Sequence, residues 1–126
     1  MVAVATSTRL PAELEKIAQR VVLALSHEAE RFTAIGATPK IEMSSIQFAR
    51  VIDPGNQLPG YEGVWRNERN DRCGVMTFNS DNSFYAEYDL FCPHPRDSRW
   101  FVEIVTAWGR DETVRSEVKL IPSLKE

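Results

Sequence analysis

Glu87 and Asp89 stand two residues apart in Phe84–Cys92, a run that alternates like a strand, so their side chains share a face. Glu103 lies on the next such run and Glu117 on the one after. Carboxylates gathered in a partly apolar setting can separate their pKa values, one holding a proton while another stays charged, as acid–base catalysis requires. The same oxygens could take a hard cation. A cross-strand charge ladder with Arg66, Arg115 and Lys119 is the plain structural alternative. No Asp-rich loop of metal-binding form accompanies them, and neither a metal nor a cofactor is expected.

A second group is cationic. In an antiparallel meander alternate turns share an end, which would bring the Asn70-Asp71 turn and the Pro93–Ser98 loop to one rim. That rim would gather Arg69, Arg72, His94, Arg96 and Arg99, whose guanidinium forks suit a phosphate, a carboxylate or an acidic partner. Glu68, Asp71 and Asp97 stand among them and could neutralise them locally. The opposite rim would carry Asp53, Asp81, Asp111 and Glu112 with Arg110.

Cys73, Cys92 and His94 form the third group. A structural zinc site needs four ligands, and here there are three. A disulfide between Cys73 and Cys92 is left open by their expected diagonal placement; buried free thiols are the ordinary outcome. Signatures of phosphate loops, serine hydrolases, zinc proteases and Cys-x-x-Cys redox centres are absent.

The elements that would hold these residues are legible from periodicity. Leu14, Ile17, Val21, Leu25 and Phe32 recur at helical steps after Pro11, with Gly36 and Pro39 beyond them, so one amphipathic helix is expected over 11–35. From residue 40 to 121 the period is two. Ile46, Phe48 and Ile52 alternate, with a break near Ser44–Ser45, and strands follow over Tyr61–Glu68, Cys73–Asn79, Phe84–Cys92, Arg99–Trp108 and Val114–Ile121. Residues 1–10 read as a flexible N-terminus and 122–126 as a tail. The expected fold is a single α+β domain over 1–126. One N-terminal amphipathic helix packs on a five- to six-stranded antiparallel meander, which curls into a roll if its second face needs cover.

A two-residue hairpin loop at Asp81-Asn82 would set Phe78 opposite Tyr85 and Met76 opposite Glu87. Met76, Phe78, Tyr85 and Phe91 would then share a face with Glu87 and Asp89, while Val75, Phe84, Ala86 and Tyr88 fill the other. Trp100–Trp108 shows the same doubling. One helix covers one sheet face at most, so the second apolar face calls for curling, a second copy, or a ligand.

The chain has 126 residues, enough for a core without disulfides, and twelve aromatic residues to build it. A net charge of -3 disfavours nucleic acid as a partner. No signal peptide or membrane span is read, and a cytoplasmic location follows by default. Three functional readings result. The leading one is a non-catalytic protein-interaction or assembly module acting as a homodimer. Its partner surface would include Trp65, Met76, Phe78, Tyr85, Glu87, Asp89 and Glu103. The second is a roll binding a small apolar ligand, lined by Trp65, Tyr88, Trp100 or Trp108. The third is a small enzyme using the sheet carboxylates or His94.

Overall fold

A computed structural model of the chain describes residues 9–52 and 55–123. Its first element is α1, Ala12–Arg31. The Pro11 carbonyl accepts the opening bond from Glu15 N at 2.9 Å, and Glu13 and Glu15 place negative charge in the first turn, where the helix dipole favours it. Ala18, Val21, Val22, Leu25 and Ala29 form the buried stripe. The helix ends four residues before the periodicity suggests. Thr33 Oγ1 donates to the Ala29 carbonyl at 2.8 Å, and Phe32 N donates to the same carbonyl at 3.2 Å, closing a tighter turn than an α-helical one. The chain therefore turns before Gly36, whose φ of 82° serves a later bend.

Six strands follow: β1 Ile46–Ile52, β2 Pro59–Arg66, β3 Arg72–Phe78, β4 Ser83–Pro93, β5 Trp100–Arg110 and β6 Thr113–Pro122. They pair in sequence order as one antiparallel sheet. The break before β1 is a single 3-10 turn, Met43–Ser45. The sheet is not closed into a barrel: among the described residues β1 and β6 each have one paired neighbour. The helix packs mainly against β5 and β6. No helix among the described residues is long and apolar enough to cross a membrane.

The β3–β4 hairpin departs from its expected register. Asn79 N donates to Ser83 O at 2.9 Å, and Asn82 sits at φ 69°, so three residues, Ser80-Asp81-Asn82, make the loop. This is the type I turn plus left-handed residue of three-residue hairpins. Asp111-Glu112 makes the two-residue loop instead, joining Arg110 to Thr113. Phe78 consequently faces Phe84, and Met76 faces Ala86. Because strand side chains alternate, this one-residue difference carries Met76 and Phe78 to the helix side, with Ala86 and Tyr88.

Two irregularities finish the sorting. Leu90 and Phe91 lie between the paired positions Asp89 and Cys92 on β4, and Glu103 lies between Val102 and Ile104 on β5. Each bulge shifts the alternation by one. Val102 and Val105, three apart, are therefore both fully buried. The apparent doubling of apolar residues in β4 and β5 is largely this change of parity. Trp65, Met76, Phe78, Phe84, Val105 and Ala107 form one core with α1.

Candidate functional site

The inner, helix-side face is filled. Trp65 is 1 % exposed, and its indole N–H donates to the Glu42 carbonyl at 3.0 Å. Its ring meets Tyr88 edge-on at 5.6 Å, and Phe78 contacts Phe48 and Phe84 at 6.3 and 5.9 Å. Trp65, Met76 and Phe78 are thus core residues, separated by the sheet from Tyr85, Glu87 and Asp89. The surface expected to hold all seven residues holds the outer-face members only. For a ligand roll, Trp65 and Tyr88 are already engaged with each other, while Trp100 and Trp108 lie partly exposed outside the core.

On the outer face the register builds three rows. Glu62, Thr77, Tyr85, Trp108 and Arg115 align across β2 to β6; Val64, Val75, Glu87, Thr106 and Glu117 form the next; Asp89, Ile104 and Lys119 form the third. Tyr85, Ile104, Thr106, Trp108, Glu117 and Lys119 surround a shallow depression of about 480 Å³. This face is mixed, not continuously apolar, because every row carries charged residues beside aromatic or aliphatic ones.

The expected carboxylates do meet here. Burial raises the Asp89 carboxyl above its ordinary range, and the charges of Glu87 and then Glu103 push it further. Burial and neighbouring Glu87 likewise raise the Tyr85 phenol. Lys119 Nζ lies 3.3 Å from Glu103 Oε1, so part of the charge is neutralised along a ladder. Asp89 can hold a proton more readily than a free carboxyl. Among the described residues, no group of three or more His, Cys, Asp or Glu is arranged to hold a metal ion.

The arginine rim is occupied locally. Arg99 grips Asp97 through two nitrogens at 3.0 and 2.9 Å, which holds the Asp97 carboxyl down at about 2. Arg69 lies 3.8 Å from Asp71. Arg96 stacks over the Phe32 ring at 5.9 Å. His94 Nδ1 accepts the backbone N–H groups of Arg96 and Asp97, both at 3.1 Å, and the imidazole meets Phe32 edge-on. His94 is therefore an acceptor that shapes its loop. Arg72 stands opposite Arg66 across the β2–β3 pair. At the other rim Arg110 bridges to Asp81 at 3.1 Å, and Asp53 lies outside the described residues.

Cys73 and Cys92 are both free. The Cys92 thiol lies 3.9 Å from the Phe32 carbonyl at the end of α1, and burial raises its pKa, the opposite of nucleophile activation. Cys73 lies beside the Tyr88 phenol.

One feature escaped sequence reasoning. Val51, Ile52 and Leu58 are exposed by 36, 55 and 47 %, and all three line a depression of about 280 Å³ with Gly60, Glu62 and Thr77. They sit where β1 ends, at the edge of the sheet away from β5 and β6, the strands on which α1 mainly packs. The signal available was the run Arg50-Val51-Ile52, three residues without alternation before the loop. No family model matches this chain, and neither the curated proteins nor the solved structures compared with it contain a match.

Proposed function

We propose that this chain is a non-catalytic assembly domain that acts as a homodimer. The observation that carries this reading is the gathering of exposed apolar side chains, Val51, Ile52 and Leu58, at β1, a strand that among the described residues pairs on one edge only. Such an edge presents open N–H and C=O groups along with apolar area, and a protein that stays in solution has reason to cover both. The polar groups offer less support for catalysis. His94 Nδ1 is committed to its own loop, the thiol of Cys92 is raised, and Asp89, which lines one depression with both, is itself raised by burial and by the charges of Glu87 and Glu103. Two unpaired thiols also fit a reducing compartment such as the cytoplasm.

Sedimentation equilibrium from the low micromolar to several hundred micromolar tests the reading. The expected result is a concentration-dependent rise to twice the chain mass. Ile52→Glu is expected to hold the single-chain mass with unchanged circular dichroism, because Ile52 is more than half exposed. A single-chain mass for the unmodified protein throughout would end the proposal.

A further inference from the structure

The two ends of the sheet are built differently. β6 sets Arg115, Glu117 and Lys119 at alternate exposed positions and ends in Pro122, while α1 packs against it. Charges, proline and a covering helix are the usual guards of an edge strand. Among the described residues β1 has neither the proline nor the covering helix, and only one charge, Arg50. Its seven residues, Ile46-Gln47-Phe48-Ala49-Arg50-Val51-Ile52, contain one charge and no proline, and they pair with β2 without a register shift. An unguarded strand of this composition is a template for another strand.

The sequence of β1 is also complementary to itself. In an antiparallel pair of two copies, the register that uses all seven residues centres on Ala49. It places Ile46 opposite Ile52 of the second copy, Gln47 opposite Val51, Phe48 opposite Arg50, and Ala49 opposite Ala49. Alternation is preserved, so inner faces continue into inner faces. Ile52, exposed by 55 %, gains an apolar neighbour, and Arg50 stands opposite an uncharged residue instead of another cation. The small Ala49, itself exposed, stands at the two-fold axis, where bulk would hinder the approach of two chains.

Resting on the assembly reading above, we infer that two copies of this chain join edge to edge through antiparallel pairing of β1 with β1, centred on Ala49. The occupant of the free edge is a second copy, because the full-length register brings apolar residues together at both ends and sets no charge directly against its like. The sheet of one copy then continues into the sheet of the other, with the Leu58 depressions flanking the junction.

Symmetric cross-linking tests the register. In a Cys73→Ser, Cys92→Ser background, Ala49→Cys is expected to form a disulfide-linked dimer under mild oxidation, since paired Cα atoms lie about 4.5–5.5 Å apart. Gln47→Cys alone is expected to stay single. Mixing Gln47→Cys chains with Val51→Cys chains is expected to give the mixed dimer. If the background does not fold, hydrogen exchange of the unmodified protein supplies the same information. The amides within residues 46–52 that do not bond to β2 should slow with concentration, by roughly tenfold at ten times the dissociation constant. A dimer that fails both the Ala49→Cys and the mixed cross-link, or that protects other amides and not these, overturns this pairing and leaves the assembly reading standing. Equal cross-linking of Ala49→Cys and Gln47→Cys is random collision and also overturns it. A single-chain mass at every concentration overturns both. So does a monomer in which the β1 amides that do not bond to β2 are already slow, because its edge is covered within one chain.

Discussion

The Phe48 ring lies over Gly63 on the neighbouring strand: a Cβ placed on Gly63 would come within 2.6 Å of Phe48 Cε1 and of Ile46 Cδ1. Phe48 is paired directly with Gly63, and on the far side Gly63 is paired with Met76. The missing side chain lets Phe48 lean inward to Phe78, so β1 and β3 share one aromatic cluster across the intervening β2. Gly74 repeats the device under Trp65 and Tyr88. These gaps let large inner side chains lie flat along the sheet, which keeps Phe48, Trp65 and Phe78 buried although α1 packs mainly on the other half.

Gly63→Ala is expected to destabilise the fold by about 1–3 kcal/mol, the usual cost of forcing a methyl group into a packed core. The atoms it meets belong to buried Phe48 and Ile46, which have little room to withdraw. Urea denaturation checks this. An unchanged midpoint would mean that the Phe48–Gly63 contact is loose.

Phe78 and Tyr85 differ in what their truncation costs, because the three-residue hairpin puts them on opposite faces of the sheet. Phe78→Ala is expected to cost about 3–5 kcal/mol, as for other buried aromatic truncations. Tyr85→Ala, at a site 40 % exposed, should cost well under half as much. Similar losses at both positions would point to the two-residue loop, with Tyr85 and Phe78 directly opposed.

Asp89 carries a sign that calorimetry can read. Its folded pKa is raised, so the carboxyl favours folding most when protonated, below its unfolded value near 3.9, and that advantage is lost as pH rises through the folded pKa. Asp89→Asn is therefore expected to raise Tm at pH 7, with a gain of about 0.5 kcal/mol or less for a charge this open to solvent. The gain should vanish below about pH 3.9. A lower Tm for the variant at pH 7 would refute the assignment.

Asp97 should behave in the reverse sense. Its carboxyl is held down at about 2 by the Arg99 guanidinium, so the pair favours folding above the unfolded value near 3.9 and loses that contribution as pH falls toward 2. Carbon-detected titration of the two side chains should show Asp97 losing its proton well before Asp89. Arg99→Lys is expected to raise the Asp97 pKa, because an ammonium cannot reproduce the two-point grip.

Thr33 closes α1 with a hydroxyl shared between the Ala29 carbonyl and the Thr38 hydroxyl, the latter at 2.6 Å. Thr33→Val keeps the shape and removes both bonds. It is expected to cost about 1–3 kcal/mol, since the site is buried. Thermal denaturation checks it, and a neutral result would show that the backbone bond from Phe32 suffices.

The helix, six strands and their order are legible in the sequence because each is written in local terms. Leu14, Ile17, Val21 and Leu25 repeat at helical spacing, and Asn70, Asn82 and Asp111 mark turns where the backbone adopts positive φ. The placing of Glu87 and Asp89 on one face was also within reach, since strand parity sets them together, whereas Glu103 joins them only through the bulge it occupies. What only tertiary structure decided was which side of the sheet each strand turns toward the helix. That depended on whether the β3–β4 loop holds two residues or three, and on bulges at Leu90-Phe91 and Glu103, none of which leaves a distinctive local pattern. Side-chain direction in a strand reverses with every residue, so a single extra residue moves Met76 and Phe78 from surface to core. The energy that settles the matter comes from burying those rings against Phe48 and Phe84, contacts between segments far apart in the chain.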